Sequence, residues 1–277
     1  PSSALDVTGT VNATAIKTAT LNVTGTSYLG SITLNAEKVT AAEVNVTDNL
    51  TVAEEIDITN GSLYQPVYGT DDGLVLYLPF SGPNGSTQYD YSPYGNDGTQ
   101  NNGTCNASNG KYGAGCYFEN GNSVTVSDTD LFYFANKSFT VEYWVRWNGT
   151  PGATDFMGQS EGGGNNLKWA TGWNSNIANN VTFHIQNPAG TTTNINWSWT
   201  PSGNTWYHFA FVRNNNNWYF YVDGIETGGV KTSSVEFPNV ADSLSIGKDG
   251  ESWKDLNGIL DEVRIYKRAL SADEIRT

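Results

Sequence analysis

The chain has 277 residues, a formal net charge of −14 at pH 7, and only 15% charged residues. That length accommodates one or two domains with a substantial core. The acidic balance offers no basic stripe to neutralise phosphates, which excludes nucleic acid as a partner. No run approaches the roughly 18 apolar residues that cross a bilayer. Solubility rests on Asn, Thr, Ser and Gly, a composition suited to an exposed, glycan-decorated surface.

No signal peptide is visible, and Pro1 reads as the start of a mature or trimmed chain. Residues 1–65 lack Trp and Cys and are rich in Thr, Val, Asn and Ala. LDVTGT at 5–10 recurs as LNVTGT at 21–26, with weaker echoes from Val44 and from Ile56. Each unit reads as a short strand with one thin apolar face: Leu5 and Val7, Leu21 and Val23, Val44 and Val46, Ile56 and Ile58. The pattern resembles the shafts of viral tail fibres and other thin β-solenoids. So little core cannot stand alone, so this segment is expected to pair with copies of itself as a homo-oligomer or polymer. A flexible Thr-rich stalk is the alternative.

Composition shifts across 62–72, where Pro66 and the Gly-Thr-Asp-Asp-Gly run mark a joint. Residues 73–80 read as a first strand, followed by a long loop over 81–115. Strands are expected at 123–126, 139–147, 180–185 and 192–200, and a glycine-rich loop carrying Trp169 and Trp173 at 158–175. The organising stretch is 206–224, WYHFAFVRNNNNWYFYVDG. Two apolar runs flank a polar turn at 214–217, and Asp223-Gly224 makes a second turn. Alternation puts Trp206, Ala210 and Val212 on one side and Tyr207, Phe209 and Phe211 on the other. In the return strand, Trp218, Phe220 and Val222 oppose Tyr219 and Tyr221. Large apolar groups on both faces place this hairpin in a sheet covered on both sides.

The two cysteines, Cys105 and Cys116, lie in a Gly/Asn-rich loop, with no second Cys/His pair to make a zinc site. A disulfide between them would contribute about 3 kcal/mol and place the protein outside the reducing cytosol. Two unrelated thiols are the alternative. Asn12, Asn22, Asn45, Asn49, Asn60, Asn84, Asn102, Asn106, Asn136, Asn148, Asn180 and Asn196 each begin an Asn-x-Ser/Thr sequon. Their spread along the chain favours an extracellular glycoprotein.

The segments GLVLYLPF, DYSPYGNDGT, GKYGAGCYFENG, FTVEYWVR and LSIG, closed by NGILDEVRIYKRALSADEI, occur in the order seen in the laminin-G-like, concanavalin A-like jelly-roll family. The resemblance covers residues 70–277 and implies an all-β antiparallel jelly-roll sandwich with a short C-terminal helical turn. It implies little about chemistry, because this fold carries lectins, adhesion modules, structural domains and some glycosidases.

Three chemistries can be weighed on the residues. Sugar sites stack aromatic faces on pyranose rings, and Trp169, Trp173, Trp197, Trp199 and Trp253 lie in loops or strands of mixed polarity. Alternation also puts Glu142, Trp144 and Arg146 on one polar-aromatic face. Packing in the core or rim is the competing reading for each Trp. Calcium takes converging oxygens; Asp90, Asn96 and Asp97 fall in a loop where the family resemblance allows a structural site, and Asp261 could complete it. Turn-capping by Asp90 and Asp97 is the alternative. Hydrolysis of glycosides needs two carboxylates flanking the bond. The Glu-x-Asp-x-Glu strand of glucanases is absent, and Asp261 and Glu262, being adjacent, should point to opposite faces. His184 and His208 are expected to be packed, and no Gly-x-Ser-x-Gly elbow occurs.

The sequence therefore points to an extracellular, non-enzymatic attachment glycoprotein. Its jelly-roll head would bind a surface glycan or glycoprotein, displayed on an oligomerising N-terminal β shaft. The alternative is a filament subunit assembled by N-terminal strand addition; a glycoside hydrolase ranks third.

Overall fold

The structure, a computed structural model, describes residues 73–80, 86–106, 108–162, 167–187, 191–249 and 254–275. The β-repeat expected over 1–65, the sequons at Asn12, Asn22, Asn45, Asn49, Asn60 and Asn84, and Trp253 lie outside the described residues.

In chain order the first strands are β1 (Leu74–Leu78), β2 (Thr87–Gln88), β3 (Gly98–Asn101), β4 (Thr104–Asn106), β5 (Gly115–Phe118) and β6 (Ser123–Val126). Next come β7 (Phe139–Trp147), β8 (Thr154–Ser160), β9 (Lys168–Trp173), β10 (Asn180–Gln186) and β11 (Thr192–Ser198). The last are β12 (Tyr207–Asn214), β13 (Asn217–Val222), β14 (Ile225–Glu226), β15 (Lys231–Thr232), β16 (Leu244–Ile246) and β17 (Gly258–Tyr266), followed by α1 (Ala272–Ile275). One sheet runs β14-β13-β12-β7-β17-β5-β4, with β1 also on β17 and β15 on β13; the other runs β11-β10-β9-β8-β16-β6-β3-β2. Pairing of the named strands is antiparallel throughout. This is the expected jelly-roll sandwich.

The inner faces meet in an aromatic core. Phe209, Phe211, Trp218 and Phe220 from the first sheet face Phe156, Trp169, Phe183 and Trp197 from the second, all fully buried. Phe183 stacks on Trp169 at 5.7 Å and meets Trp218 at 5.3 Å across the sandwich. Each such ring removes a large apolar area from water, and offset or edge contacts add to that burial.

Both turns of the hairpin form. Asn215 and Asp223 adopt the left-handed conformation (φ 56 and 51), and Gly224 follows at φ 75, which short hairpin loops require. Ala210, Val212 and Tyr221 on its outer face are covered by a second apolar cluster with Leu74, Tyr266, Leu270 and Ile275. The cover comes from the chain after β17, which ends in α1. Ser271 Oγ accepts from the Glu274 amide, and Glu274 Oε2 accepts from the Ser271 amide, a reciprocal capping box.

Two expected loops are partly strands. The stretch 81–115 contains β2, β3 and β4, and 158–175 contains the end of β8 and all of β9. Every residue of β8 is buried, as are all of β9 after Lys168, so neither strand alternates. The glycine that reads as loop, Gly158, sits where a Cβ would strike the Trp169 carbonyl. The expected disulfide forms between Cys105 and Cys116, direct partners across β4 and β5.

Candidate functional site

A cleft of about 900 Å³ opens on the outer face of the first sheet. Its floor is set by strand register. One row across the sheet is Tyr77 on β1, Arg264 on β17, Glu142 on β7 and Ala210 on β12; a second is Asp261, Trp144 and His208 on the last three of these strands. Residues two apart share a face, so Glu142 and Trp144 enter the same cleft.

The β17 side departs from simple alternation. Between Asp261 and Arg264 the register shifts, so Glu262 and Val263 together oppose Tyr143, and Glu262 takes φ 54. This bulge turns Glu262 outward beside Asp261 while Val263 stays fully buried. The expectation that Asp261 and Glu262 point to opposite faces is thus corrected: the inserted residue resets the parity. Asp261 Oδ1 accepts the Glu262 amide at 2.7 Å, and its Oδ2 accepts the amides of Lys111 and Tyr112 at 2.7 and 2.9 Å. Those two bonds hold the Tyr112 loop over the sheet, with the Tyr112 ring edge-on to Trp144 at 5.7 Å. Lys111 Nζ lies 4.6 Å from the centroid of the Trp144 ring.

Arg264 is the electrostatic centre. Its Nη1 is 3.6 Å from Glu142 Oε1, its Nη2 donates to Glu262 Oε2, and its guanidinium lies 4.3 Å over the Tyr77 ring. Burial disfavours its charge, but Tyr77, Glu262 and Glu142 outweigh that and raise its pKa. Tyr77 donates its hydroxyl to Glu262 Oε2 at 2.8 Å. Burial, against the opposing pull of Arg264, pushes the Tyr77 phenol up to about 12, so it keeps its proton at neutral pH. Burial and then Arg264 lower His208 to about 4, leaving a neutral imidazole 3.6 Å from Glu142. Burial also pushes the Asp261 carboxyl up to about 6, despite its three amide donors.

The arrangement offers an aromatic wall (Trp144, Tyr112), carboxylate acceptors and a neutral phenol and imidazole. Of the expected sugar-binding residues, Glu142 and Trp144 line the cleft. Arg146, further along β7, lies over Trp206 at 5.7 Å. Three of the other indoles are corrected. Trp169, Trp173 and Trp197 are core residues whose ring N–H groups donate to Gln159, the Trp199 carbonyl and the Gly229 carbonyl. Trp199 is half-buried against Tyr207 and Phe209. Sequence reading missed Tyr77, Tyr112, Glu262 and Arg264 as cleft residues, and His208 is both packed and cleft-lining.

The expected calcium ligands do not come together as one oxygen cage. Asp90 Oδ1 accepts the Tyr77 and Ser92 amides, and Oδ2 accepts the Ser92 hydroxyl and the Asn96 amide. Asp97 takes the Asp90 amide, and Asn96 donates to the Val75 carbonyl. Four donors occupy the lone pairs a cation would need, and Asp261 is bonded elsewhere, to the Lys111, Tyr112 and Glu262 amides. The set fits turn-capping and does not fit a metal. Among the described residues no group of three or more His, Cys, Asp or Glu gathers as a metal set. Of the sequons, Asn102, Asn136 and Asn148 are exposed, whereas Asn106, Asn180 and Asn196 are half-buried.

Solved structures share this fold. Domain 4 of AbnA, an extracellular GH43 arabinanase from Geobacillus stearothermophilus solved with arabinotriose, superposes with a TM-score of 0.59 at 19% identity, over 74% of this chain and 97% of that one. The binding domain of Paraclostridial Mosquitocidal Protein 1 gives 0.58 at 18%, over 74% of this chain and 51% of that one. Trypanosoma rangeli sialidase gives 0.53 at 22%, with 74% of this chain matching 32% of the sialidase. The chain thus corresponds to about half of the toxin domain and a third of the sialidase. No curated protein matches the chain by sequence. The model of the concanavalin A-like lectin/glucanases superfamily matches residues 118–276, more than half of the sequence, and the chain belongs to that family.

Proposed function

We propose that the jelly-roll of this chain is a non-catalytic, extracellular glycan-binding head, and that its ligand lies in the cleft of the first sheet. The observation that carries this reading is the half-buried Trp144 ring set among fixed polar groups on a rigid sheet floor. A pyranose ring presents apolar C–H groups, which pack on an aromatic face, and hydroxyls, which need acceptors and donors at fixed positions. Trp144 and Tyr112 supply the first; Glu142, Glu262, Tyr77 and His208 supply the second. The volume matches a small-molecule site. A family of lectins and glucanases, and a neighbour solved with arabinotriose, support the same class of ligand.

Binding rather than hydrolysis is favoured by Arg264. A glycosidase keeps one carboxyl as a proton donor and the other as base or nucleophile, whereas Glu142 and Glu262 are both counter-ions of a single guanidinium. The disulfide and the exposed sequons support an extracellular setting. Residues 1–65 would then join several heads, so that weak sites gain by avidity.

The test is an oligosaccharide array probed with the full chain and with Trp144→Ala. Binding by the wild type and its loss in the variant, with folding retained, is the expected result. A blank array for the wild type overturns the reading, as does retention of binding by Trp144→Ala.

A further inference from the structure

Resting on that reading, we propose that the cleft selects against acidic sugars, so that its ligands are glycans without carboxylate or sulfate groups. Five carboxylates line it: Glu142, Glu262, Asp223, Asp273 and Glu274. Against them stand the guanidinium groups of Arg264 and Arg268, an excess of three negative charges. His208 adds no positive charge at neutral pH. Lys111, with its Nζ near the Trp144 ring, and Asp261, which accepts the Lys111 backbone amide, add one positive and one negative charge beside the cleft and leave that excess unchanged.

Both arginines are already engaged. Arg264 bridges Glu142 and Glu262, and Arg268 Nη1 lies 2.7 Å from Glu274 Oε1. A sialic, uronic or sulfated sugar would need a cation for its anionic group, and drawing Arg264 away would strand the buried Glu142 without its counter-ion. A hydroxyl has the opposite requirement. It donates readily to a carboxylate that keeps its arginine, through a charge-assisted hydrogen bond. The chain's net charge of −14 repels anions before they reach the cleft.

The experiment measures binding of the full chain to pairs of oligosaccharides alike except at the terminal residue, galactose against sialic acid and glucose against glucuronic acid. The acidic member of each pair should bind about tenfold more weakly at low salt, with the gap narrowing as salt screens the cleft. Asp273→Lys, a change at an exposed rim position on α1, should narrow the gap between the two members of each pair. Equal or tighter binding of the acidic member overturns the selectivity while leaving the carbohydrate reading intact. If neither member of any pair binds, the carbohydrate reading itself fails and takes this inference with it.

Discussion

The imidazole of His208 lies 3.6 Å from the carboxylate of Glu142, yet the two are not an ion pair at neutral pH. Burial and the charge of Arg264 hold His208 at about 4, against 6.5 for an ordinary histidine. The unfolded chain therefore takes up this proton as pH falls through 6.5, while the folded chain refuses it until about 4. The stability contributed by a neutral His208 is complete above pH 6.5 and is lost as pH falls towards 4, by roughly 3 kcal/mol at most. Asp155 and Asp261 act with the opposite sign. Burial raises each to about 6, so their contribution is largest below 3.8 and is lost as pH rises through 6. A difference measurement isolates the histidine. Between pH 7 and 4.5 the wild type should lose roughly 2–3 kcal/mol more unfolding free energy in urea than His208→Gln. Parallel losses in the two proteins would show that burial does not hold His208 neutral.

The tryptophans separate into two classes that a pair of variants can tell apart. Trp197 is fully buried, packs against Phe220 at 5.7 Å and donates its ring N–H to Gly229. Trp197→Ala should cost about 3–5 kcal/mol of stability. Trp144 is half-buried on the outer face, and Trp144→Ala should cost about 1 kcal/mol while removing sugar binding. Thermal melts of the two variants rank them directly; a Trp144 variant as unstable as the Trp197 one would make it a core residue.

How far the fold and the site can be read from sequence follows from where local alternation holds. The hairpin of β12 and β13 was legible because aromatic residues of opposite parity fill both faces. β8 and β9 were not, because strands buried throughout carry no period, and Gly158 and Gly172 imitate loop composition. The cleft shows the same division. Glu142 and Trp144 follow from parity along a regular strand. Glu262 does not, because the bulge at φ 54 reverses parity at that residue. Tyr77 meets it from 185 positions away, a pairing that only the tertiary fold creates. For Trp169, Trp173 and Trp197 the competing reading, packing in the core, holds: an indole in a polar strand or a glycine-rich stretch leaves both readings open until its N–H is seen to find an internal acceptor.

Calcium can be judged against the hydrogen bonds of Asp90. Its carboxylate accepts four donors, two of them amides in its own loop and one the Tyr77 amide of β1. Asp90→Asn keeps the shape but turns one acceptor atom into a donor facing donors, which should cost roughly 2–3 kcal/mol. Millimolar calcium or excess chelator should leave the melting temperature of the wild type unchanged. A rise of several degrees with calcium would mean the loop rearranges to ligate it.

Arg264 provides the most demanding check on the cleft. Glu142 and Glu262 are both buried, at 5% and 8% exposure, and share this one guanidinium. Replacing one partner of a buried charge cluster strands the others, so Arg264→Met should destabilise the fold by about 3–5 kcal/mol. Arg264→Lys should recover only part of that, since a single ammonium cannot bridge two carboxylates as a planar fork does. Glu142→Gln and Glu262→Gln combined with Arg264→Met remove all three charges and should restore most of the loss, because the penalty arises from unpaired charge rather than from missing bonds. Urea midpoints of the four proteins decide the matter. If the single Met variant and the triple variant lie equally far below the wild type, Arg264 supports the sheet by packing on Tyr77 and not by neutralising the cleft.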